Sequence, residues 1–478
     1  MNSSEQFKHY AEKVCEQIRW KKAHGIVAKE IENHLIDQKN AYMDMGDSES
    51  TAEEKALLQM GDPVTVGAAL DGTHKPAPQW GMMGLVMVLF FLGLLIQYKL
   101  TTIHTVLEVK SGSIPYQLLL YGIGLAVFIG AYHLDFSFFG KHPCLLPLLL
   151  LTMDVLAQFF GTVSSGTYHW LCFGPFSISP VSLSLLFPMA FCGIFYHFRQ
   201  KGSRGYFLSG LFAALCCILL LACHSVSGVA IFMASAGILM ITAAFSGWFG
   251  KDVKPLLLFF VLAGIVGIGI LLFSEPYRWV RIVHILHPEA DPTGAGYIPT
   301  LLRGMLANAA FLGEGEPFLP YSAFLMGEAL FQPENAAAYL PHLSIRTDYL
   351  LTYLAYRYGW IVFLLLAGLL SAFLFWGLRK CLQQKSVLGQ IVSLAILSTF
   401  AAETLLYVIV NLGILYFAPI ALPFLSYGGT ALVIHMFLAG ILLSVFRTGE
   451  VYQDDATPVF AGRKLLQWDD GKLIISFK

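Results

Sequence analysis

Asp348 is the residue best placed to do chemistry, in Leu340-Pro341-His342-Leu343-Ser344-Ile345-Arg346-Thr347-Asp348-Tyr349. Thr347 can cap a helix that follows it, which sets Asp348 in the first turn, where the helix dipole favours an ionised carboxylate. Such a carboxylate at a membrane surface suits a general base. A helix-opening Asp with no further role has the same local pattern. Upstream, Ile285–Pro299 (ILHPEADPTGAGYIP) is dense in special residues. Pro292 fixes φ, Gly294 and Gly296 allow turns and close backbone approach, and Asp291 can close an Asx turn. That pattern describes a rigid loop first and a reactive one second. No P-loop, HExxH or CxxC is present, which excludes ATP-driven transport by this chain alone and a zincin-type site. Most of the eight cysteines lie in apolar runs, where Cys is a small hydrophobe.

The elements that must position these residues are membrane spans. The chain has 478 residues, is 56% hydrophobic and is 13% charged, against about 25% charged for soluble domains. Of the Asp, Glu, Lys and Arg residues, 22 fall in residues 1–75 and 39 in the rest. A soluble head therefore precedes a membrane body, and the net charge of −1 argues against a nucleic-acid partner. The expected fold is all-α and polytopic, with about ten transmembrane helices and a small N-terminal cytoplasmic helical domain. Its parts are a head (1–75), a linker (76–80), a membrane domain (81–447) with a large outer loop (274–348), and a cytoplasmic tail (448–478). Spans are expected at 81–98, 115–132, 143–160, 181–198, 206–223, 228–247, 255–273, 349–376, 387–417 and 430–446. Basic loops follow the even-numbered spans, so both termini are expected in the cytoplasm, and the polar N-terminus shows no cleavable signal. In the head, Ser50-Thr51-Ala52-Glu53 reads as a capping box and Asp62-Pro63 as a helix start. Arg357, Asp154 and Glu403 fall within spans, where charges pair or face a cavity; an Arg357–Glu403 or Arg357–Asp154 pair is expected.

Three outward stretches carry a family likeness. They are Gly166…Trp170…Gly174-Pro175-Phe176…Pro180, then Asp291-Pro292-Thr293-Gly294-Ala295-Gly296-Tyr297, then Asn411 followed by Leu422-Pro423-Phe424-Leu425-Ser426-Tyr427-Gly428-Gly429-Thr430. In this order, across residues 80–447, they resemble the SEDS family of peptidoglycan polymerases, the FtsW/RodA/SpoVE group. The head, through "MGDPVTVGAAL", more weakly resembles a helical permease-prefix domain. The resemblance implies a glycosyltransferase polymerising lipid II on the outer face of the bacterial cytoplasmic membrane. It makes Asp348 the match to the family's catalytic carboxylate. It implies substrate contacts at Trp170, Asp291, Tyr297, Arg303, Arg346 and Ser426, with Arg278 and Arg281 as further outward cations. It also implies a single-span class B penicillin-binding transpeptidase as partner and a divalent cation, Mg or Mn, although no metal site is legible.

The chain departs from the family pattern in several places. Ser182 and Leu185 replace a Glu and a Lys, and His224-Ser225-Val226-Ser227-Gly228 replaces PDLGT. Arg346 stands where the family has His, Tyr356-Arg357-Tyr358-Gly359 replaces EELG, and Ile298 replaces Gln. A precursor flippase, or a non-catalytic scaffold that binds a transpeptidase, are the alternative readings.

Overall fold

The computed structural model describes residues 3–74, 76–106, 114–164, 168–173, 176–178, 180–223, 225–250, 252–273, 283, 287, 291, 296–316, 346–415, 420–449, 466–469 and 472–475. The chain divides into two compact units. The first holds Met1–Gln79 together with Gln384–Ser386 and Phe446–Thr457. Its helices are α1 (Ser3–Glu16), α2 (His24–Asp44), α3 (Glu49–Met60) and α4 (Pro63–His74). Phe7, Tyr10, Val14 and Ile18 recur at helical spacing, as do Val27, Ile31 and Leu35, and all are buried together in one core. Asp62 accepts the Thr65 N–H at 3.0 Å and Pro63 opens α4, as the sequence indicates. The start of α3 differs: its N-cap is Ser48, which accepts the Thr51 N–H at 3.4 Å. Glu53 instead pairs with Lys39 at 2.7 Å, and Lys39 also takes Glu49 at 2.6 Å, so Glu53 does not close a box at Ser50. Arg19 grips Asp71 through Nε and Nη2 at 2.9 and 2.7 Å and ties the end of α1 to α4.

The second unit is the membrane body. Its helices are α5 (Trp80–Val106), α6 (Ile114–His133), α7 (Leu145–Phe160), α8 (Phe187–Phe198), α9 (Gly202–Ala222), α10 (Val226–Ser246) and α11 (Lys254–Phe273). They are followed by α12 (Tyr297–Ala307), α13 (Leu350–Tyr358), α14 (Trp360–Leu382), α15 (Val387–Asn411) and α16 (Gly429–Thr448). Among the described residues, seven helical runs are long and apolar enough to cross a membrane. One of these, Val181–Ala222, takes in two of the expected spans, and Leu145–Phe160 and Lys254–Ile270 are shorter apolar helices at two others. The architecture is all-α and polytopic. The strands of this unit are short: Thr162–Ser164, Tyr168–Phe173 and Phe176–Ile178 pair antiparallel in one small sheet, and Leu466–Asp469 pairs with Lys472–Ile475.

The expected long span at 349–376 is two helices. Gly359 breaks it with φ 99°, a conformation that favours glycine. Residues 310–315 dock on the break. Trp360 N–H donates to the Ala310 carbonyl at 3.0 Å, and Gly315 N–H to that of Tyr356 at 2.8 Å. A Cβ on Gly359 would sit 2.6 Å from the Phe311 carbonyl oxygen. Gly359→Ala should therefore cost about 1–3 kcal/mol and lower the detergent melting temperature. Gly368→Ala on α14, which meets nothing within 4 Å, should not. The break also corrects the place of Arg357. It lies at the exposed end of α13 and pairs with Glu314, not with Glu403 or Asp154. The expected span at 387–417 likewise stops at Asn411, where Gly413 turns the chain with φ 66°.

Helices α15 and α16 are the most enclosed, with 67% and 78% of their apolar windows buried against 28% for α14. In their shared interior, His435 Nε2 lies 3.0 and 2.9 Å from the two Glu403 oxygens. Removing one partner of so buried a pair costs about 3–5 kcal/mol, whereas replacing both by apolar residues costs far less. Glu403→Leu and His435→Leu should each destabilise more than the double variant in chemical denaturation. Asp154, buried on α7, has no hydrogen-bond partner among the described residues.

Candidate functional site

Asp348 does not sit in a first helical turn. Helix α13 begins at Leu350, with Tyr349 at its N-cap position and no side-chain cap, so Thr347 does not cap it. Residues on α15 take over that task. The Tyr407 hydroxyl accepts the Leu350 N–H at 2.9 Å, and Asn411 Oδ1 accepts the Thr352 N–H at 3.0 Å. Two of the N–H groups that every helix start leaves open are satisfied from a neighbouring helix.

The turn before α13 is held by its carbonyls. Arg346 O accepts from Gln97 Nε2 at 3.1 Å and from the Tyr427 N–H at 2.7 Å. Thr347 O accepts from the Tyr407 hydroxyl at 2.8 Å and from Ser426 Oγ at 2.7 Å. Asp348 O accepts from Asn411 Nδ2 at 2.9 Å. Three successive carbonyls are thus fixed from α5, α15 and the turn before α16, and the Asp348 side chain remains half-buried beside them. Each bond to a desolvated carbonyl adds geometric certainty to the segment.

The turn Leu422–Tyr427 is itself braced. Ser426 Oγ accepts the Leu422 N–H at 2.8 Å, and Ser426 N–H donates back to the Leu422 carbonyl at 3.1 Å. Phe424 holds φ 66°, a costly backbone for a bulky residue. Its buried ring packs against Phe373, Phe400 and His435. Gly93 on α5 lets the turn approach, since a Cβ there would meet the Phe424 carbonyl oxygen at 2.3 Å.

Arg346 supplies a cation two residues before Asp348. Its Nη2 donates to Thr101 Oγ1 at 2.8 Å, its Nε to Gln97 Oε1 at 3.4 Å, and its guanidinium lies 4.4 Å from the Tyr427 ring centre. Burial lowers the Arg346 pKa, with Tyr427 and Tyr121 acting the other way, and the group stays charged because its ordinary value is so high. Burial raises the Tyr427 pKa, and the Arg346 charge opposes that rise.

The structure gathers Arg346, Asp348 and Ser426 into one network, with the Ser426 hydroxyl committed to backbone. Arg303, exposed on α12, donates from Nε to the Gly413 carbonyl at 3.0 Å, two residues past Asn411. Asp291 accepts the Gly296 N–H on its carbonyl at 3.0 Å, just ahead of α12. Tyr297 opens α12 and Trp170 lies opposite Thr162 in the small sheet, while the side chains of both are outside the described residues. Pro292, Gly294, Arg278 and Arg281 also lie outside them. Sequence reasoning missed Tyr407, Gln97 and Thr101, and gave Asn411 no role. A signal was available: Glu403, Tyr407 and Asn411 are spaced i, i+4, i+8, one polar stripe along an apolar span.

A family profile described as "Cell cycle protein", that of the FtsW, RodA and SpoVE proteins, matches residues 79–450. The stage V sporulation protein E of Bacillus subtilis is 28% identical over 382 residues, covering 78% of this chain and 98% of its own length. A probable peptidoglycan glycosyltransferase FtsW of Geobacter sp. is 28% identical over 330 residues, covering 68% and 83%. Among solved structures, a chain from a peptidoglycan synthase complex that coordinates polymerization and crosslinking superposes with a TM-score of 0.59 at 19% identity. That superposition covers 79% of this chain and 99% of the other. The rod-shape-determining protein RodA of Thermus thermophilus has a TM-score of 0.50 at 16% identity, with the same coverage of 79% and 99%.

Proposed function

Because the chain belongs to the FtsW/RodA/SpoVE family, we propose that it is a peptidoglycan glycosyltransferase that polymerises lipid II for cell-wall synthesis, with Asp348 as its base. The observation that carries this reading is the triply anchored turn Arg346–Asp348, which presents a carboxylate from a fixed backbone two residues from a half-buried cation. Asp348 takes the proton from the sugar 4-hydroxyl of the acceptor. That oxygen attacks the anomeric carbon of the donor, a new glycosidic C–O bond forms, and the C–O bond to the diphosphate breaks. A single base with direct displacement inverts the anomeric centre, as in inverting glycosidases. The diphosphate leaves already ionised, so it needs positive charge more than an acid; Arg346, on the turn, and Arg303, bonded to the Gly413 carbonyl, are the cations assigned to supply it.

Among the described residues, no group of three His, Cys, Asp or Glu could hold a metal ion by itself. A divalent cation would need Asp348 and the oxygens of the diphosphate as its ligands, a donor set suited to Mg or Mn. It would supply charge neutralisation at the leaving group. The protein is an integral membrane protein, with both termini on the cytoplasmic side and the anchored turn outside. A single-span transpeptidase is its partner, a reading supported by the synthase complex whose chain it superposes on.

The test feeds lipid II to the purified protein, alone and with the transpeptidase encoded in the same genome, and looks for glycan ladders on a gel. Ladders are the expected result. Lipid II translocation across a vesicle membrane, with no ladder under any condition, would replace the polymerase by a flippase.

A further inference from the structure

We propose that the small cavity under the first turn of α16 is a subsite for one phosphoryl oxygen of the lipid-linked sugar diphosphate. The proposal rests on the polymerase reading for the identity of the ligand, and on the geometry below for the site. The cavity is lined by Gln117, Leu120 and Tyr121 of α6 and by Tyr427, Gly428 and Gly429 at the start of α16. Gln117 is 2% exposed and Tyr121 6%. Yet Gln117 Nε2 and the Tyr121 hydroxyl both lack a hydrogen-bond partner among the described residues. Two such groups in one cavity are unusual, because buried polar atoms are nearly always paired.

The carbonyl end of Gln117 faces Thr101. Thr101 Oγ1 lies 3.0 Å from Gln117 Oε1, and the same Thr101 oxygen accepts from Arg346 Nη2. Thr101 also bonds the Gln97 carbonyl at 2.8 Å, so its one proton is shared, and the Gln117 NH2 end is the one without a partner among the described residues. The unpartnered polar groups at the cavity can all donate, and Leu120 and Leu432 complete a largely apolar wall. Gln117 Nε2 can only donate, Tyr121 can donate, and a 20-residue helix ends there with its positive pole. The Arg346 guanidinium stacks on Tyr427, which forms part of the wall. No residue lining the cavity is acidic. The complement of that set is an anionic oxygen. The space fits a single oxygen-sized group, which suits one non-bridging oxygen of a phosphate whose remainder stays outside. Ser426 joins the cavity to the reacting turn, since it lines the cavity and donates to the Thr347 carbonyl.

An anionic phospholipid headgroup offers the same oxygen, and an ordered water could also satisfy both orphan groups. The experiment separates these. Inorganic pyrophosphate is titrated calorimetrically into the full chain in nanodiscs of phosphatidylcholine, and again in nanodiscs containing phosphatidylglycerol. The variants are Tyr121→Phe, which removes one oxygen, and Gln117→Met, which keeps length and removes the donor. Wild type should bind, and each variant should bind about tenfold more weakly, the loss expected for one hydrogen bond to a charged group. Variants within twofold of wild type, or no binding by wild type, would mean that the cavity holds water only. Loss of pyrophosphate binding in the phosphatidylglycerol discs would assign it to lipid headgroups. Should Gln117→Met not fold, Tyr121→Phe decides alone. Glycan synthesis is read on the same preparations. Weakened binding in the variants with no glycan from wild type would keep the subsite and remove the polymerase; glycan synthesis with unchanged binding would do the reverse.

Discussion

Asp348→Asn should abolish glycan synthesis, with a fall of about 10²–10⁴-fold, the usual contribution of a positioned general base, and leave the melting temperature within a degree or two of wild type. The second half of that expectation comes from how the turn is built. Asn411, Tyr407, Ser426 and Gln97 all grip main-chain oxygens, and none of those bonds uses the Asp348 carboxylate. Asn has nearly the same shape as Asp and lacks its charge and basicity. The variant therefore tests chemistry with little change in structure. Parallel assays of initial rate with lipid II and of thermal unfolding make the comparison. Ladders within tenfold of wild type from a folded Asp348→Asn protein would place the base elsewhere.

The parts of this protein that were legible in its sequence are those written in local pattern. The apolar runs marked the spans, the charge gradient marked the head, and Phe7, Tyr10, Val14 and Ile18 marked a buried seam by their spacing. The candidate turn was found because Thr347 and Asp348 sit at the start of an apolar run and match a family stretch. What could not be read was which atoms hold that turn. Gln97 is about 250 residues away in sequence from Arg346, and its amide looks like any polar residue near the end of a span. The helix start at Leu350 misled for the same reason. A Thr before an apolar run is a sound local cap signal, and a hydroxyl from Tyr407 overrode it through tertiary contact. Gly359 shows a third case. One glycine inside an apolar run reads as a tolerated interruption, until residues 310–315 dock on it and make it a joint between two helices. The Arg357 pairing failed with it, because an arginine at an exposed helix end needs no intramembrane partner.

Asn411→Leu should reduce synthesis almost as far as loss of the carboxylate, about 10²-fold, although Asn411 touches no substrate in the proposed mechanism. Its amide binds at both ends. Nδ2 donates to the Asp348 and Tyr407 carbonyls at 2.9 and 3.0 Å, and Oδ1 accepts the Thr352 N–H at 3.0 Å. Leucine fills similar space and offers none of these bonds. Each buried group left unpaired costs about 1–3 kcal/mol, so the turn shifts to find other partners. A displacement of about 1 Å at the reacting group is enough for a 10²-fold loss. The loss should fall on kcat, with KM for lipid II nearly unchanged, because the base moves while the substrate contacts do not. Tyr407→Phe provides the graded comparison. The Thr347 carbonyl would keep the Ser426 hydroxyl after the Tyr407 hydroxyl is gone, so its loss should be nearer tenfold. If Asn411→Leu instead raised KM and spared kcat, the stripe on α15 would be shaping the substrate's path, and the carboxylate would owe its position to the turn before α16 alone.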